Sequence, residues 1–208
     1  MPRPRLKICG ITRLEDALLA TSLGAHALGF IFSQKSPRYI SPEKAQEIIK
    51  KLPPFVQTVG VFVNEKSETI KTIAQNCGLN LIQLHGDESP TFCEHLDLPC
   101  IKAFRIKDEA SLKGLVSYKD KVKGFLLDTY EKGQAGGTGK IFNWELAAKA
   151  KEYGIPIILA GGLNPDNIRA AIKTVHPYAL DVNSGIESAP GKKNKMLMER
   201  LFAIWQEI

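Results

Sequence analysis

"PIILAGGLNPDNIRAAIKTVHPYALDVNSG", residues 156–185, is the stretch whose reading decides the fold. It begins with an apolar run of strand length, turns on Gly161 and Gly162, and continues into NPDNIRAAIKTV, where apolar residues recur at helical spacing. Asn164 followed by Pro165 reads as a helix start, because an Asn side chain satisfies first-turn N–H groups and proline's fixed φ suits the first helical position. A second apolar run begins at Ala179 and turns on Gly185. Strand, helix and strand in so short a segment form a βαβ unit, and strands apolar nearly throughout belong to a parallel sheet covered on both faces.

The alternation extends toward both termini. Further β-rich runs stand at RLKICG (5–10), ALGFIF (27–32), QTVGVFV (57–63), LIQLHG (81–86), CIKAFRI (100–106) and GFLLDTY (124–130), making eight with the two above. Between them lie helix-period segments: RLEDALLATSLG ends on Gly24, and SPEKAQEIIKKL opens on Ser41 with Pro42 next. The last segment, NKMLMERLFAIWQEI, is read with Met196, Leu197, Leu201, Ile204 and Trp205 on one face. A doubly wound open sheet uses the same alternation, but eight strands each followed by a helix favour closure. The expected fold is α/β, a single-domain (β/α)8 TIM barrel over residues 1–208, since no Gly/Ser linker or low-complexity segment divides the chain.

The chain's 208 residues, 44% of them hydrophobic, can bury a core of that size. A net charge of +6 arises from 28 basic against 22 acidic residues, with the lysines mixed among acids along helical segments such as AAKAKEYG (147–154). That is a solvated helical face, so no nucleic-acid partner is expected. Only GKKNK (191–195) is compact enough to add positive potential to an anion site. Cys9, Cys77, Cys93 and Cys100 show no CxxC pair and no matching His pattern, so neither a zinc site nor a disulfide framework is indicated, and a reducing, cytoplasmic compartment fits. No secretory apolar segment follows MPRPR, and no apolar run approaches the ~20 residues that cross a bilayer, so no membrane partner is expected. The apolar helix faces can all be spent on covering a barrel, which leaves monomer and homodimer open.

In such a barrel the chemistry collects at the C-terminal ends of the strands and in the loops that follow. Cys9 stands there after the first run, Arg38 in SPRY after the second, His85 after the fourth, Asp128 in the sixth, Gly161 and Gly162 after the seventh, and Asp181, Ser184 and Gly185 in the eighth. Glycine turns after adjacent strands let backbone N–H groups approach phosphate oxygens; otherwise they serve only as tight turns. A carboxylate closing the apolar run GFLL must be solvated, paired or used, which marks Asp128. Cys9 fits either a packed core position or a reactive thiol, Arg38 either a surface guanidinium or a carboxylate clamp, and His85 a hydrogen-bonded pocket residue. GQAGGTGK (133–140) departs from the P-loop pattern at Gln134 and Ile141, so it is read as a Gly-rich flap over the rim and not as a nucleotide site.

Taken in order, KICGIT, GFIF with SPRYI, VGVFVNE, LIQLHGDE, LLDT, GGTGK, ILAGGLNPDNI and DVNSGIE with PGKKN resemble the motifs of phosphoribosylanthranilate isomerases, from about residue 6 to residue 205. The resemblance implies a cofactor-free, metal-free isomerase of tryptophan biosynthesis acting on a small phosphorylated substrate. It implies Cys9 as general base, Asp128 as general acid, Arg38 on the anthranilate carboxylate, and phosphate at the glycine turns after strands 7 and 8. With the strand-end positions added, the substrate-binding residues expected are Arg38, His85, Gly161, Gly162, Asp181, Ser184 and Gly185. The family's last motif often reads DVSSG, and Asn183 stands at its first serine. A thiolate at Cys9 requires neighbouring positive charge or N–H groups to lower its pKa. The competing reading is another phosphate-binding barrel, an isomerase or lyase acting on a sugar phosphate, in which Lys or Asp would be expected at position 9.

Overall fold

The computed structural model describes residues 3–128 and 144–208. Strands and helices alternate as β1 (Arg5–Ile8), α1 (Leu14–Ser22), β2 (Ala27–Ile31), α2 (Pro42–Ile49), β3 (Gln57–Phe62), α3 (Ser67–Cys77), β4 (Leu81–Leu84) and α4 (Pro90–His95). They continue as β5 (Cys100–Arg105), α5 (Glu109–Lys113), β6 (Phe125–Asp128), α6 (Trp144–Lys149), β7 (Ile157–Ala160), α7 (Ile168–Val175), β8 (Ala179–Val182) and α8 (Lys195–Gln206). The eight strands run parallel, each beside its sequence neighbour, and β8 pairs with β1 with Lys7 opposite Asp181, closing a barrel. GQAGGTGK lies outside the described residues.

The period-2 alternation of the strands sorts side chains into two layers. Leu6, Ile8, Leu28, Phe30, Leu84, Leu127, Leu159 and Leu180 point outward and join the helices in one large apolar cluster. Ile101, Ala103, Leu126, Ile158, Ala160 and Ala179 form a separate cluster inside the barrel. Toward the C-terminal ends of β1 and β4 the inward positions are polar instead: Lys7 and Cys9 alternate with Leu6 and Ile8, and Gln83 and His85 with Ile82 and Leu84. The floor of the pocket is therefore polar on one side of the barrel.

Local starts follow the sequence with two exceptions. Ser41 caps α2, its Oγ accepting from Lys44 N, with Pro42 at the first helical position. Asn164, expected to cap α7, instead closes a turn ahead of it: its Oδ1 accepts from the N–H groups of Asp166 and Asn167, and the helix starts after Asn167. On α8 the buried face is Met198, Leu201, Phe202 and Trp205, whereas Met196 is 78% exposed, because the helix starts at Lys195 and its first turn projects Met196 away from the barrel. A hairpin, β9 (Glu187–Ala189) with β10 (Lys192–Lys193), lies between β8 and α8 and was not legible in the sequence.

Candidate active site

Cys9 sits one residue beyond β1, its N–H donating to Val182 O at 2.9 Å, and its side chain is buried at 4% exposure. Lys7, two residues earlier on the same inward face, sends its ammonium to Cys9 Sγ at 3.2 Å, Gln83 Oε1 at 2.7 Å and Asp181 Oδ2 at 2.9 Å. Space for this cluster comes from Gly29 on β2, where a Cβ would fall 2.6 Å from Cys9 Sγ and 3.0 Å from Lys7 Cε. Burial and the Asp181 charge hold the Cys9 thiol above its ordinary pKa, outweighing Lys7 and the more distant Lys193. This corrects the expectation of a lowered pKa: the cations are present, but desolvation is the larger effect. For Lys7 burial pulls the pKa down, yet the charges of Asp181 and Cys9 prevail and leave it raised. The Lys7–Asp181 pair is fully enclosed, so removing either partner would strand a buried charge at a cost of about 3–5 kcal/mol.

Across the barrel Asp128 ends β6, and its Oδ2 lies 3.4 Å from His85 Nε2. The other ring nitrogen of His85 meets Gln83 Nε2 at 2.9 Å. Asp181 Oδ1 is buried with no hydrogen-bond partner among the described residues. Cys9, Arg38, His85, Asp128, Gly161, Gly162, Asp181 and Ser184 all border one cavity of about 360 Å³ at the C-terminal mouth. A larger hollow of about 600 Å³ opens at the opposite end near His26 and Phe55. That end brings no such acid and thiol together, and the strand C-termini are where barrels place chemistry.

The turn after β7 is built for close approach. Gly161 and Gly162 adopt φ of +87° and +63°, which side chains with a Cβ rarely adopt. The side-chain amides of Asn164 and Asn167 both donate to Gly162 O, at 3.1 and 2.9 Å, and fix the turn's shape. Gly185 stands behind the cavity and does not line it: a Cβ there would lie 2.0 Å from Leu163 O, so glycine is what lets the turns after β7 and β8 pack together. Arg38 forms the bidentate contact expected of it, but with Glu187 of the hairpin, through Nε at 3.0 Å and Nη2 at 2.7 Å. Glu187 also binds Lys193 Nζ at 3.0 Å. Burial would raise the Glu187 carboxyl, but Arg38 and Lys193 hold it below the usual range. Of the GKKNK lysines, Lys193 is thus buried behind the site, where its Nζ also meets Asn183 Oδ1 at 2.9 Å.

Residues 6–203 match the family model described as N-(5'phosphoribosyl)anthranilate (PRA) isomerase. The chain belongs to the phosphoribosylanthranilate isomerase family. It is 52% identical over 203 residues to the N-(5'-phosphoribosyl)anthranilate isomerase of Pelobacter propionicus, covering 98% of this chain and 96% of that protein. The crystal structure of the Thermotoga maritima phosphoribosyl anthranilate isomerase superimposes with a TM-score of 0.91 at 42% identity, covering 99% of this chain and all of that one. A phosphoribosyl anthranilate isomerase in complex with reduced 1-(o-carboxyphenylamino)-1-deoxyribulose 5-phosphate superimposes with a TM-score of 0.89 at 40% identity, with coverage of 99% and 100%. The chain is accordingly an isomerase of tryptophan biosynthesis on a (β/α)8 barrel. Among the described residues no helix is long and apolar enough to cross a membrane.

For a phosphoribosylanthranilate isomerase the site holds several polar groups that were not candidate site residues: Gln83 borders the cavity, and Lys7, Glu187 and Lys193 contact residues that do. Lys7 and Gln83 were accessible to reasoning, because each precedes a candidate by two residues in a strand and so shares its face. Glu187 and Lys193 reach the site through a hairpin with no periodic signal. The raised Cys9 pKa has a direct consequence, since only the thiolate is alkylated. In the free isomerase, iodoacetamide should label Cys9 slowly at neutral pH, with the rate still rising above the ordinary thiol range of about 8.5. Peptide-resolved mass spectrometry against pH measures this, and a plateau below pH 8 would contradict it.

Proposed function

We propose that this chain catalyses the Amadori rearrangement of N-(5'-phosphoribosyl)anthranilate to 1-(o-carboxyphenylamino)-1-deoxyribulose 5-phosphate, with Asp128 as general acid and Cys9 as general base. The observation that carries the reading is the meeting of a carboxyl from β6 and a thiol from β1 at one cavity that also presents the glycine turn after β7. Its volume of about 360 Å³ lies in the range that holds small ligands. The phosphate sits at Gly161, Gly162 and Ser184, small residues at the cavity wall, two of them glycines in positive-φ backbone that let the main chain come close to its oxygens. Glu187 holds one edge of Arg38, and the remaining terminal nitrogen of the guanidinium takes the anthranilate carboxylate.

Asp128 delivers a proton to the furanose ring oxygen, and the C1'–O bond breaks to a cationic Schiff base. Burial and the Asp181 charge keep the thiol protonated, and the new cation offsets the second of these, so the Cys9 thiolate gains population when it is needed. The thiolate takes the proton from C2', the electron pair moves into the C1'–C2' bond, and the resulting enolamine tautomerises to the ketone. A base whose conjugate acid has a raised pKa is scarce at neutral pH but strong once formed. Asp181 Oδ1, buried and without a partner among the described residues, accepts a sugar hydroxyl.

Every group in this scheme comes from one chain, so it operates in a monomer or a homodimer alike. The four cysteines are free thiols, which supports a cytoplasmic location. The test is the fluorescence of freshly generated phosphoribosylanthranilate on adding purified protein. Loss well above the spontaneous rate is expected, and an unchanged decay overturns the proposal.

A further inference from the structure

The hydrogen bonds below the pocket assign a proton position that the distances alone do not show. Lys7 carries only donors, so the Gln83 atom 2.7 Å from its ammonium is the amide oxygen. The Gln83 NH2 group therefore faces His85 Nδ1 at 2.9 Å, and an amide NH2 can only donate. Nδ1 must accept, which places the proton of the neutral imidazole on Nε2, the nitrogen 3.4 Å from Asp128 Oδ2. Both ends of the Gln83 amide are thus dictated by partners that have no choice of role.

We propose that Gln83 is a positioning residue: anchored by Lys7, it locks His85 in the Nε2–H tautomer so that His85 donates to Asp128 Oδ2 and the acid's own proton resides on Oδ1. The role in turnover rests on the assignment of Asp128 as general acid; the tautomer does not. A donor fixed at Oδ2 makes that oxygen the acceptor of the carboxyl group and gives the transferable proton a defined position. The same Lys7 ammonium contacts Cys9 Sγ at 3.2 Å and Asp181 Oδ2 at 2.9 Å. One chain of polar contacts therefore spans the barrel between the base and the acid, hydrogen-bonded from Asp181 and Cys9 through Lys7 and Gln83 to His85 and reaching Asp128 across 3.4 Å. Gln83 is 1% exposed and Lys7 5%, so water cannot substitute for either link without rearrangement.

Among the described residues, the other charged groups around His85 do not compete for Nδ1. Lys102 of β5 points its ammonium at the carbonyls of Leu84 and Gly86 and at Glu88. Arg38 is engaged with Glu187, and Asp181 with Lys7.

Gln83→Glu tests the inference with almost no change of shape. The new carboxylate still accepts from Lys7 but presents only acceptors to His85, so Nδ1 must take up a proton; with Asp128 facing the proton already on Nε2, the ring becomes the imidazolium. Nitrogen-15 spectra of the histidine side chains should show His85 of the wild type bare at Nδ1 and protonated at Nε2, and protonated at Nδ1 in the variant. Turnover should fall about 10- to 100-fold with KM changed less than about threefold, and the alkaline limb of kcat should move to lower pH as Asp128 is drawn toward its ionised form. Gln83→Met removes donor and acceptor together; it should give mixed tautomers and lose kcat without the pH shift, while a cooperative melt confirms folding.

A wild-type His85 protonated at Nδ1 overturns the tautomer and the proposal with it, whatever the activity. The stated tautomer together with unchanged kcat in both variants overturns the positioning role. Failure of the acid assignment itself would appear differently, as full activity after loss of the Asp128 carboxyl.

Discussion

Asp128→Asn is expected to remove turnover while leaving substrate binding nearly intact. Asn matches Asp in shape, and its side-chain oxygen can still accept from His85 Nε2 across the 3.4 Å contact, so the wall of the pocket stays in place. What disappears is the proton for the ring oxygen, without which the C1'–O bond must break to an alkoxide. General acid catalysis contributes about 10²–10⁴-fold, and kcat should fall by at least that much, or about 3–5 kcal/mol of barrier. The phosphate turn and Arg38 lie on other elements, so KM, or the Kd of a reduced product analogue measured by calorimetry, should change by less than about threefold. Normal turnover in Asp128→Asn would remove the acid from β6 and with it the reading of the whole rim. A collapse of both kcat and binding would make Asp128 a structural partner of His85 instead.

Much of this arrangement could be read from the chain because a barrel converts linear pattern into position. The eight strands of the barrel all lie within the apolar runs identified in the sequence, since a parallel strand buried on both faces is apolar almost throughout and glycine or proline punctuates its ends. Cys9, His85, Asp128 and Asp181 converge because strand C-termini share one rim, so residues 119 positions apart, such as Cys9 and Asp128, needed no long-range reasoning. Partnership was less accessible. That Arg38 spends its bidentate edge on Glu187 depends on a hairpin inserted after β8, and nothing in ESAPGKK has the periodicity that announces such an element. The sign of the Cys9 shift was also hidden, because it depends on a contest between burial and charges from β1, β8 and the hairpin. Asn164 misled for a local reason: its side chain satisfies a turn three residues ahead of the helix, a geometry that the same Asn-Pro pair encodes as readily as a cap.

Cys9→Ala should be as damaging as loss of the acid, for a reason confined to one atom. The substitution deletes the sulfur that receives the C2' proton, while Lys7 retains Gln83 and Asp181 as partners at 2.7 and 2.9 Å, so no buried charge is stranded and the fold should hold. The glycine at position 29 already provides the space that Sγ fills, and its loss leaves at most a small hollow beside a polar cluster. The expected result is a fall in kcat of about 10²–10⁴-fold with KM little changed, read from fluorescence decay of freshly made substrate. Cys9→Ser separates basicity from packing. Its hydroxyl restores volume and a hydrogen bond to Lys7, yet ionises so much less readily than a thiol that it supplies almost no anion at neutral pH. If Cys9 were only filling the core, Ser and Ala would both retain activity, in proportion to how well each packs. If the thiolate is the base, both lose activity alike whatever their stability, and the alkaline rise in iodoacetamide labelling predicted for Cys9 reports the same ionisation that turnover requires.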